Sequence, residues 1–508
     1  LAFSYSKGLP QFDYGFFSNF NKSADFVAHD ITVSTQLNFL HKENLFNEFT
    51  REPLMPHMLS AEGPALAVAD INHDGLDDVF IGGGKTFHNG IFLQQPGGKF
   101  VKNRQSSLIA DRMYEDVDAV FADVNNDGND DLLIASGGNE FYGSDKHLLP
   151  RLFLNDGKAN FAKSEDAFSG ITGTASCITV CDFNKDGFVD VFVGGRAVPW
   201  NYGEIPASYL LQNDGKGKFT DVTKSKANEL SKIGMVTKAV WCDMDKDGDD
   251  DLIVCCEWGY ITAFINGNGS FTKKELTQEK GWWNCIVPVD IDNDGDLDFI
   301  AGNLGLNSRL HASKEQPVRM YLSDFDDNGK KEQVVTYYVG DKEITFASKD
   351  ELQKQLPVLK KKYMYAEDFA HANLHDLFPL HKIDSAEVLT ADYFANALLL
   401  NDGKGNFALQ QLPWQAQLSQ IRDAAIVYAN KDSLPDILLG SNYYYNNIVS
   451  GRYDADFGTM LINHGNGKLS AENLNGLVIK GEVRHIKPIN ISGAEAFILA
   501  KNNDSAML

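Results

Sequence analysis

The feature that most constrains this chain is a nine-residue acidic pattern that occurs six times. Each copy has an acid at position 1, Asp or Asn at positions 3 and 5, Asn-Gly or Asp-Gly across positions 5 and 6, and an acid at position 9. The six copies are 70–78 (DINHDGLDD), 123–131 (DVNNDGNDD), 182–190 (DFNKDGFVD), 243–251 (DMDKDGDDD), 290–298 (DIDNDGDLD) and 324–332 (DFDDNGKKE). Carboxylates packed this closely repel one another without a counter-charge. The pattern therefore predicts loops that each bind a cation.

Oxygen ligands at alternate positions, with a glycine for the sharp turn, suit Ca²⁺. The expected ligands are the side chains at positions 1, 3, 5 and 9 and the backbone carbonyl at position 7. The six sets are Asp70, Asn72, Asp74, Leu76 and Asp78; Asp123, Asn125, Asp127, Asn129 and Asp131; Asp182, Asn184, Asp186, Phe188 and Asp190; Asp243, Asp245, Asp247, Asp249 and Asp251; Asp290, Asp292, Asp294, Asp296 and Asp298; and Asp324, Asp326, Asn328, Lys330 and Glu332. Solvated Asx-Gly turns are the alternative, but six copies in one register favour about six structural Ca²⁺ ions.

The residues around the loops exclude an EF-hand and favour strands. An EF-hand needs a bidentate Glu at position 12 and a helix on each side. Position 12 is apolar in every copy, at Ile81, Ile134, Val193, Val254, Ala301 and Val335. The flanking runs, such as ALAVAD before the first loop and DVFIGG after it, are typical of strands. Each loop is therefore expected to join two antiparallel strands.

The spacing of the loops predicts an all-β propeller. The first acids are 34 to 61 residues apart, and strand–turn–strand patterns such as LFLNDGKANF and LLLNDGKGNF lie between the loops. Four antiparallel strands per repeat are typical of a propeller blade. A seventh loop, 428–436, has Tyr428 and Ser433 in place of the acid and the glycine and is expected to hold no metal, while 482–501 forms another strand pair. Seven and eight blades both remain open, over residues 61–508, with a helical insertion at about 348–378. Residues 1–60 are expected to pack on the ring or close it.

Composition narrows the function classes. The formal net charge of -24 argues against binding to nucleic acid or to an anionic membrane. No apolar run reaches 18 residues, so a transmembrane segment is not expected. The six cysteines are expected to be buried free thiols, with cross-strand disulfides as the alternative. The chain begins at Leu1, which suggests a processed or partial product.

The loops and several longer segments resemble a known family. The DxNxDGxxD loops followed by FxGG-type strands resemble the FG-GAP/VCBS repeats of integrin-like propellers. Segments such as GMVTKAVWCDMDKDGDDDLIV and SGRYDADFGTMLINHGNGKL resemble the C-terminal propeller of VCBS-repeat surface proteins associated with the UnbV/ASPIC family. This resemblance implies a calcium-loaded propeller on an exported protein of Gram-negative bacteria, often a lipoprotein, beside outer-membrane nutrient-uptake systems.

The rim opposite the loops is the expected ligand face. It collects four of the six tryptophans, and the candidate ligand-binding residues are Arg196, Trp258, Trp282, Trp283 and Asn303. Exposed aromatic rings beside hydrogen-bonding groups suit sugars or peptides, although the same rings could instead fill the channel and the blade junctions. The expected function is a non-catalytic surface module that binds a protein partner in an outer-membrane complex, or a glycan. The alternative is a calcium-dependent polysaccharide lyase or dehydratase that uses this rim.

Overall fold

Apolar runs on both sides of each acidic loop form two antiparallel strands, as the sequence predicts. The computed structural model describes residues 26–508, which contain eight antiparallel sheets. In the first sheet, Leu66 pairs with Ile81 and Ala69 pairs with Asp78, so the 70–78 loop is the turn of a hairpin. The residues of the second strands are almost entirely buried, because a neighbouring sheet covers each of their faces. This explains why they read as continuous apolar runs rather than as alternating patterns.

The strands are assigned to sheets as follows. The first three sheets contain β1 (Leu66–Ala69), β2 (Asp78–Ile81), β3 (Gly90–Gln95) and β4 (Lys99–Asn103); β5 (Asp116–Ala122), β6 (Asp131–Ser136), β7 (Arg151–Asn155) and β8 (Phe161–Ser164); and β9 (Thr174–Cys181), β10 (Asp190–Ala197), β11 (Tyr209–Asn213) and β12 (Phe219–Asp221). The fourth contains β13 (Met235–Cys242), β14 (Asp251–Gly259), β15 (Ile261–Asn266) and β16 (Phe271–Glu275), with β17 (Gly281–Trp282) paired to β14.

The remaining sheets include one that interrupts another. The fifth contains β18 (Cys285–Val289), β19 (Asp298–Gly302), β24 (Ala397–Asn401) and β25 (Phe407–Gln411), and the sixth contains β20 (Val318–Ser323), β21 (Glu332–Val339), β22 (Lys342–Thr345) and β23 (Glu387–Ala391). The seventh contains β26 (Ile421–Val427), β27 (Asp436–Ser441), β28 (Thr459–Asn463) and β29 (Leu469–Asn473), and the eighth contains β30 (Glu482–Ile491) and β31 (Ala494–Asn502).

The first strands of seven sheets contact one another in a closed order. β1 contacts β5, and the series continues through β9, β13, β18, β26 and β30 back to β1. The sixth sheet is outside this ring, since β23 packs against β14 and β17 of the fourth sheet. All four strands of the sixth sheet lie between β19 and β24 in the sequence, so this sheet is an insertion into the fifth. The short spacing between the fifth and sixth acidic loops is a consequence of this arrangement.

Short helices lie mainly in the inserted segment. They are α1 (Thr32–Thr35), α2 (Ser106–Ala110), α3 (Thr223–Lys226), α4 (Lys349–Gln355), α5 (Leu359–Lys362), α6 (Ala366–His371), α7 (Leu374–Leu377) and α8 (Leu380–Asp384). Ser348 and Glu351 form a capping box at the start of α4. The helical segment lies between β22 and β23 and extends to Asp384, beyond the predicted end near 378. No helix within residues 26–508 is long and apolar enough to span a membrane.

The N-terminal and C-terminal parts of residues 26–508 both contribute to the eighth sheet. Met507 pairs with Leu499 of β31, and Leu40 pairs with Ser505. The Ile31 N–H donates to the carbonyl oxygen of Leu508 at 2.7 Å. Residues 26–60 therefore lie along the outer edge of this sheet and then across one end of the ring, whereas residues 1–25 of the predicted N-terminal segment fall outside the described part.

Candidate metal-binding loops and the opposite rim

The acidic loops share one backbone conformation. The residue at position 4 and the glycine at position 6 both have positive φ; in the first loop these are His73 at 61° and Gly75 at 82°. The position-1 carboxylate accepts the N–H of the glycine, as in the 2.8 Å bond from Gly75 to Asp70 Oδ2. The corresponding bonds in the other five loops measure 2.8 to 3.1 Å. Each loop therefore turns its alternate side chains toward one centre.

Carboxylate ligand atoms converge in the last three of the six loops. Carboxylate oxygens lie within 4.8 Å of one another in the groups Asp243, Asp245 and Asp247; Asp290, Asp292 and Asp294; and Asp324, Asp326 and Glu332. In the first three loops an asparagine at position 3 replaces one carboxylate. The backbone N–H at position 7 donates to the side chain at position 5, as from Leu76 to Asp74 at 2.9 Å. These bonds hold positions 5 and 7 together on one side of each loop.

Several carboxylate oxygens in these loops are buried without a hydrogen-bond partner. They are Asp78 Oδ2, Asp190 Oδ2, Asp243 Oδ1, Asp290 Oδ1 and Asp326 Oδ1. A buried oxygen with no partner is costly, and it is more costly when it is charged. A hard divalent cation satisfies such oxygens. The donor set, its orientation and these unpaired oxygens therefore fit Ca²⁺.

The position-9 acid is the most deeply buried member of each set. Burial, reinforced by neighbouring carboxylates, raises the pKa of Asp78, Asp131 and Asp190 to about 7. The same cause raises the pKa of Asp251 and Asp298 to about 6 and that of Glu332 to about 7. Each site thus strongly favours a neutralising proton or cation.

Neighbouring loops of the ring contact each other through positions 4 and 7. His73 Nε2 lies 3.0 Å from Asn129 Oδ1, and Lys246 Nζ lies 2.5 Å from Asp296 Oδ1. Lys185 forms the equivalent ion pair with Asp249. The side chains of Asp249 and Asp296 therefore face the preceding loop, and these two residues could reach an ion in their own loop through the backbone carbonyl.

The 428–436 loop has the same backbone conformation with fewer acids. Lys431 and Ser433 have positive φ at positions 4 and 6, although Ser433 is not a glycine. Asp436 Oδ2 still accepts the N–H of Ala429 at 2.9 Å. Tyr428 supplies no carboxylate at position 1, so this loop has the shape of the others with fewer negative charges.

The five candidate ligand-binding residues on the opposite rim are buried, so the expectation that they are exposed is wrong. Trp258 and Trp282 are 5% and 4% exposed, while Trp283, Arg196 and Asn303 are at most 2% exposed. Trp258 and Trp282 pack with Val318, Met320 and Val335 of the inserted sheet and with Met55 and Leu59. Asn303 accepts the N–H of Trp282 at 3.0 Å. Trp258 and Trp282 therefore lie in a core that the insertion and residues 55–59 cover.

Arg196 belongs to a buried polar cluster at the same end of the ring. Its Nε donates to Glu62 at 2.9 Å, and its Nη1 lies 2.7 Å from Glu257 Oε2. Glu257 also accepts from Tyr202 and contacts His57 Nε2, both at 2.7 Å. Burial alone would raise the pKa of Glu257, but His57 and Arg196 hold it well below its usual range.

Two cavities lie on the axis of the ring. One, of about 30 Å³, is lined by Glu62, Arg196, Arg422 and Arg484 among others. The other, of about 410 Å³, is lined by the first strands, including Val120 and Val287. Lys238 lines both. The axis is therefore nearly closed at the end opposite the acidic loops.

The cysteines, all within the described residues, are free thiols. Cys177, Cys255, Cys256 and Cys285 are buried, and burial raises the pKa of Cys177 to about 12. The expectation of buried free thiols is confirmed for these four.

Comparison with known proteins identifies the repeats. The FG-GAP-like repeat family matches residues 70–134, 123–193 and 243–301. A curated relative, the phosphatidylinositol-glycan-specific phospholipase D of Rattus norvegicus, is 27% identical over 187 residues, which are 32% of this chain and 22% of the relative. The match thus spans about a fifth of that enzyme's length.

Two solved structures align with most of this chain at low sequence identity. An Agrocybe aegerita lectin that recognises non-reducing terminal N-acetylglucosamine is 14% identical, with 82% of this chain and 81% of the lectin covered and a TM-score of 0.42. The V. cholerae biofilm matrix protein Bap1 is 11% identical, with 93% and 90% covered and a TM-score of 0.37. On the strength of the matched repeats and the ring of sheets described above, the chain carries FG-GAP-like repeats on a β-propeller.

Proposed function

We propose that this protein is a calcium-stabilised, seven-bladed propeller that serves as a non-catalytic binding module. The observation that carries the proposal is the set of buried carboxylate oxygens, such as Asp243 Oδ1 and Asp290 Oδ1, that face loop centres without a hydrogen-bond partner. Ca²⁺ would compensate the charge of each loop and fix its two strands. The proposal assigns six ions, five to loops of the ring and one to the 324–332 loop of the inserted sheet.

The ion count tests this proposal directly. Equilibrium dialysis of metal-stripped protein against Ca²⁺ is expected to give about six bound ions per chain. Because the ions bind only the folded state, removing them should lower the melting temperature. If each of several ions contributes about 2–3 kcal/mol to the free energy of unfolding, the decrease should be about 10 °C or more. Identical melting curves with excess EDTA and with millimolar Ca²⁺ would contradict the proposal.

We further propose that the module acts outside the cell, at the bacterial outer membrane, in a complex with a protein partner or a glycan. The family resemblance of the loops and of segments such as 450–469 supports this location. The net charge of -24 argues against a nucleic-acid partner. Gentle solubilisation of the native membrane should yield the protein together with a partner, and recovery of the chain alone would count against a stable complex.

The enzyme alternative has less support. A lyase or dehydratase acting on the rim opposite the loops needs a cleft that admits a sugar beside acid and base groups. Glu257 and Tyr202 are buried beneath residues 55–59, from which His57 contacts Glu257. The neighbouring cavity of about 30 Å³ has the volume of roughly one water molecule.

A further inference from the structure

Two aromatic side chains remain exposed on the rim opposite the loops, where the second and third sheets meet. Tyr142 is 64% exposed and Trp200 is 39% exposed. Their ring centroids are 4.9 Å apart, and their planes are inclined by 54°. Tyr142 lies in the β6–β7 connection and Trp200 follows β10. Unlike Trp258 and Trp282, this pair is not covered by the inserted sheet.

A buried polar network holds Trp200 in place. Asn139, which is 1% exposed, accepts the backbone N–H of Trp200 through Oδ1 at 2.7 Å. Its Nδ2 donates to Glu52 at 3.0 Å, and its carbonyl oxygen accepts from Arg51 at 2.8 Å. The Arg51 guanidinium lies 4.7 Å from the centre of the Trp200 ring, with Phe46 also close to it. The indole is therefore supported on one side and fixed before any ligand arrives, which lowers the entropy cost of binding.

The backbone of Trp200 is strained. The N–H of Asn201 donates to the carbonyl oxygen of Val198 at 3.0 Å, which closes a turn with Pro199 at its second position. Trp200 has a φ of 68° at the third position. That conformation favours glycine and is rare for a bulky residue. Local strain of this kind concentrates at functional sites, and here it presents an indole to solvent.

The charges around the two rings indicate the class of ligand. Arg51 is paired with Glu52 at 2.8 Å, and Lys85 forms an ion pair with Glu140. The Arg51 cation also contacts the Trp200 ring already, which makes this ring a poor site for a second cation. Paired charges and exposed aromatic faces suit a neutral ligand with one apolar face and a hydroxyl-rich edge. A pyranose ring has these properties, because its C–H face stacks on aromatic rings while its hydroxyls reach polar neighbours.

We propose that Tyr142 and Trp200 form a binding site for a neutral saccharide. This inference rests on the proposed function as a binding module and names the ligand class and the site. It places the site away from the calcium loops and from the buried residues of the channel.

The test uses the full, Ca²⁺-saturated chain and titration calorimetry with defined probes. The probes are triacetylchitotriose, cellohexaose, xylohexaose and mannohexaose, with trigalacturonate as an anionic control and a Phe-rich tripeptide as an apolar one. At least one neutral probe should bind, and Trp200→Ala and Tyr142→Ala should each weaken its binding about tenfold or more. Trp200→Phe should retain part of the affinity. Trp414→Ala, which changes another exposed tryptophan (53% exposed), should leave binding unchanged.

Three outcomes would overturn the inference. These are the absence of binding by every neutral probe, neutral-probe binding that Trp200→Ala does not weaken, and tighter binding of the tripeptide or trigalacturonate through these rings. Melting curves of the variants in Ca²⁺ show whether they remain folded. If the calcium count stands at about six while no neutral probe binds, only this inference fails. If far fewer than six calcium ions bind per chain, the calcium proposal fails whether or not a saccharide probe binds.

Discussion

The Nδ2 amide of Asn155 donates to the carbonyl oxygen of Ile71 at 2.8 Å, and this bond joins the second sheet to the acidic loop of the first. The backbone N–H of the same asparagine donates to Asp131 of its own loop, also at 2.8 Å. Asn213 and Asn266 make the same two kinds of bond in the next two sheets. In these three sheets, one asparagine at the end of the third strand thus links two consecutive loops.

Replacing Asn155 with leucine should weaken the junction between the first two sheets. The change keeps the backbone bond to Asp131 but leaves the buried carbonyl oxygen of Ile71 without its donor, which should cost about 1–3 kcal/mol. Urea unfolding at saturating Ca²⁺ measures the loss. Asn160→Ala is the control, because Asn160 is exposed and bonds only locally to Asp156; its cost should stay within about 0.5 kcal/mol. Equal costs for both variants would contradict the role given to Asn155.

Asp243→Asn should remove one calcium ion from the fourth loop. Asparagine can still accept the N–H of Gly248, which Asp243 Oδ2 accepts at 3.1 Å, so the backbone of the loop is retained while a charged ligand is lost. Equilibrium dialysis should show one ion fewer per chain. The matched change Asp432→Asn lies in the 428–436 loop, which has no acid at position 1, and it should leave the count unchanged. A lower count for Asp432→Asn would show that this loop also binds an ion.

The metal-stripped protein should become more stable on mild acidification. The pKa of Asp78, Asp131 and Asp190 is raised to about 7 in the folded chain, against about 3.9 for an unfolded aspartate. Their protonation therefore favours folding: this contribution is complete below about pH 4 and is lost as the pH rises through about 7. Melting temperatures should increase between about pH 8 and about pH 6 without metal, and much less with saturating Ca²⁺, which replaces the protons. A flat pH profile of the stripped protein would contradict the charge repulsion inferred for these loops.

Trp282 and Trp200 should respond in opposite ways to truncation. Trp282→Ala removes a side chain that packs against Trp258 and Phe394, and the buried cavity should cost about 3–5 kcal/mol. Trp200→Gly relieves a positive φ, so stability should hold or rise by up to about 1 kcal/mol. Thermal melting in Ca²⁺ distinguishes the two. A large loss of stability in Trp200→Gly would mean that Trp200 is a packing residue like Trp282.

The loops were predictable because their ligands and turns are local. The alternation of acids, the glycine at position 6 and the apolar strand at position 12 all lie within a dozen residues, and each copy folds as its own sequence dictates. The number of sheets in the ring was not predictable in this way. The 324–332 loop carries the same pattern as the 290–298 loop, and only long-range contacts of β23 with β14 and β17 place its sheet outside the ring.

Burial of the rim residues depends equally on distant parts of the chain. Trp258 lies near the end of β14, Trp282 in β17 and Trp200 shortly after β10. Their positions in the repeat predict one common rim. The inserted sheet and residues 55–59 cover the first two and leave the third open. Two local signals did mark Trp200: a proline directly before it, typical of a turn, and the short distance from the end of β10. The sequence provides no comparable signal for Tyr142.

The inserted segment leaves and rejoins the ring at nearly one point, since the N–H of Asn303 donates to Asn396 Oδ1 at 2.6 Å. A chain that departs and returns at one place could be lengthened there without disturbing the register of β19 and β24. Its removal would be a different matter, because Trp258 and Trp282 would then face water. The inserted segment is therefore easier to gain in evolution than to lose. A protein without it would need polar residues in place of the apolar ones that the segment covers before it could remain soluble.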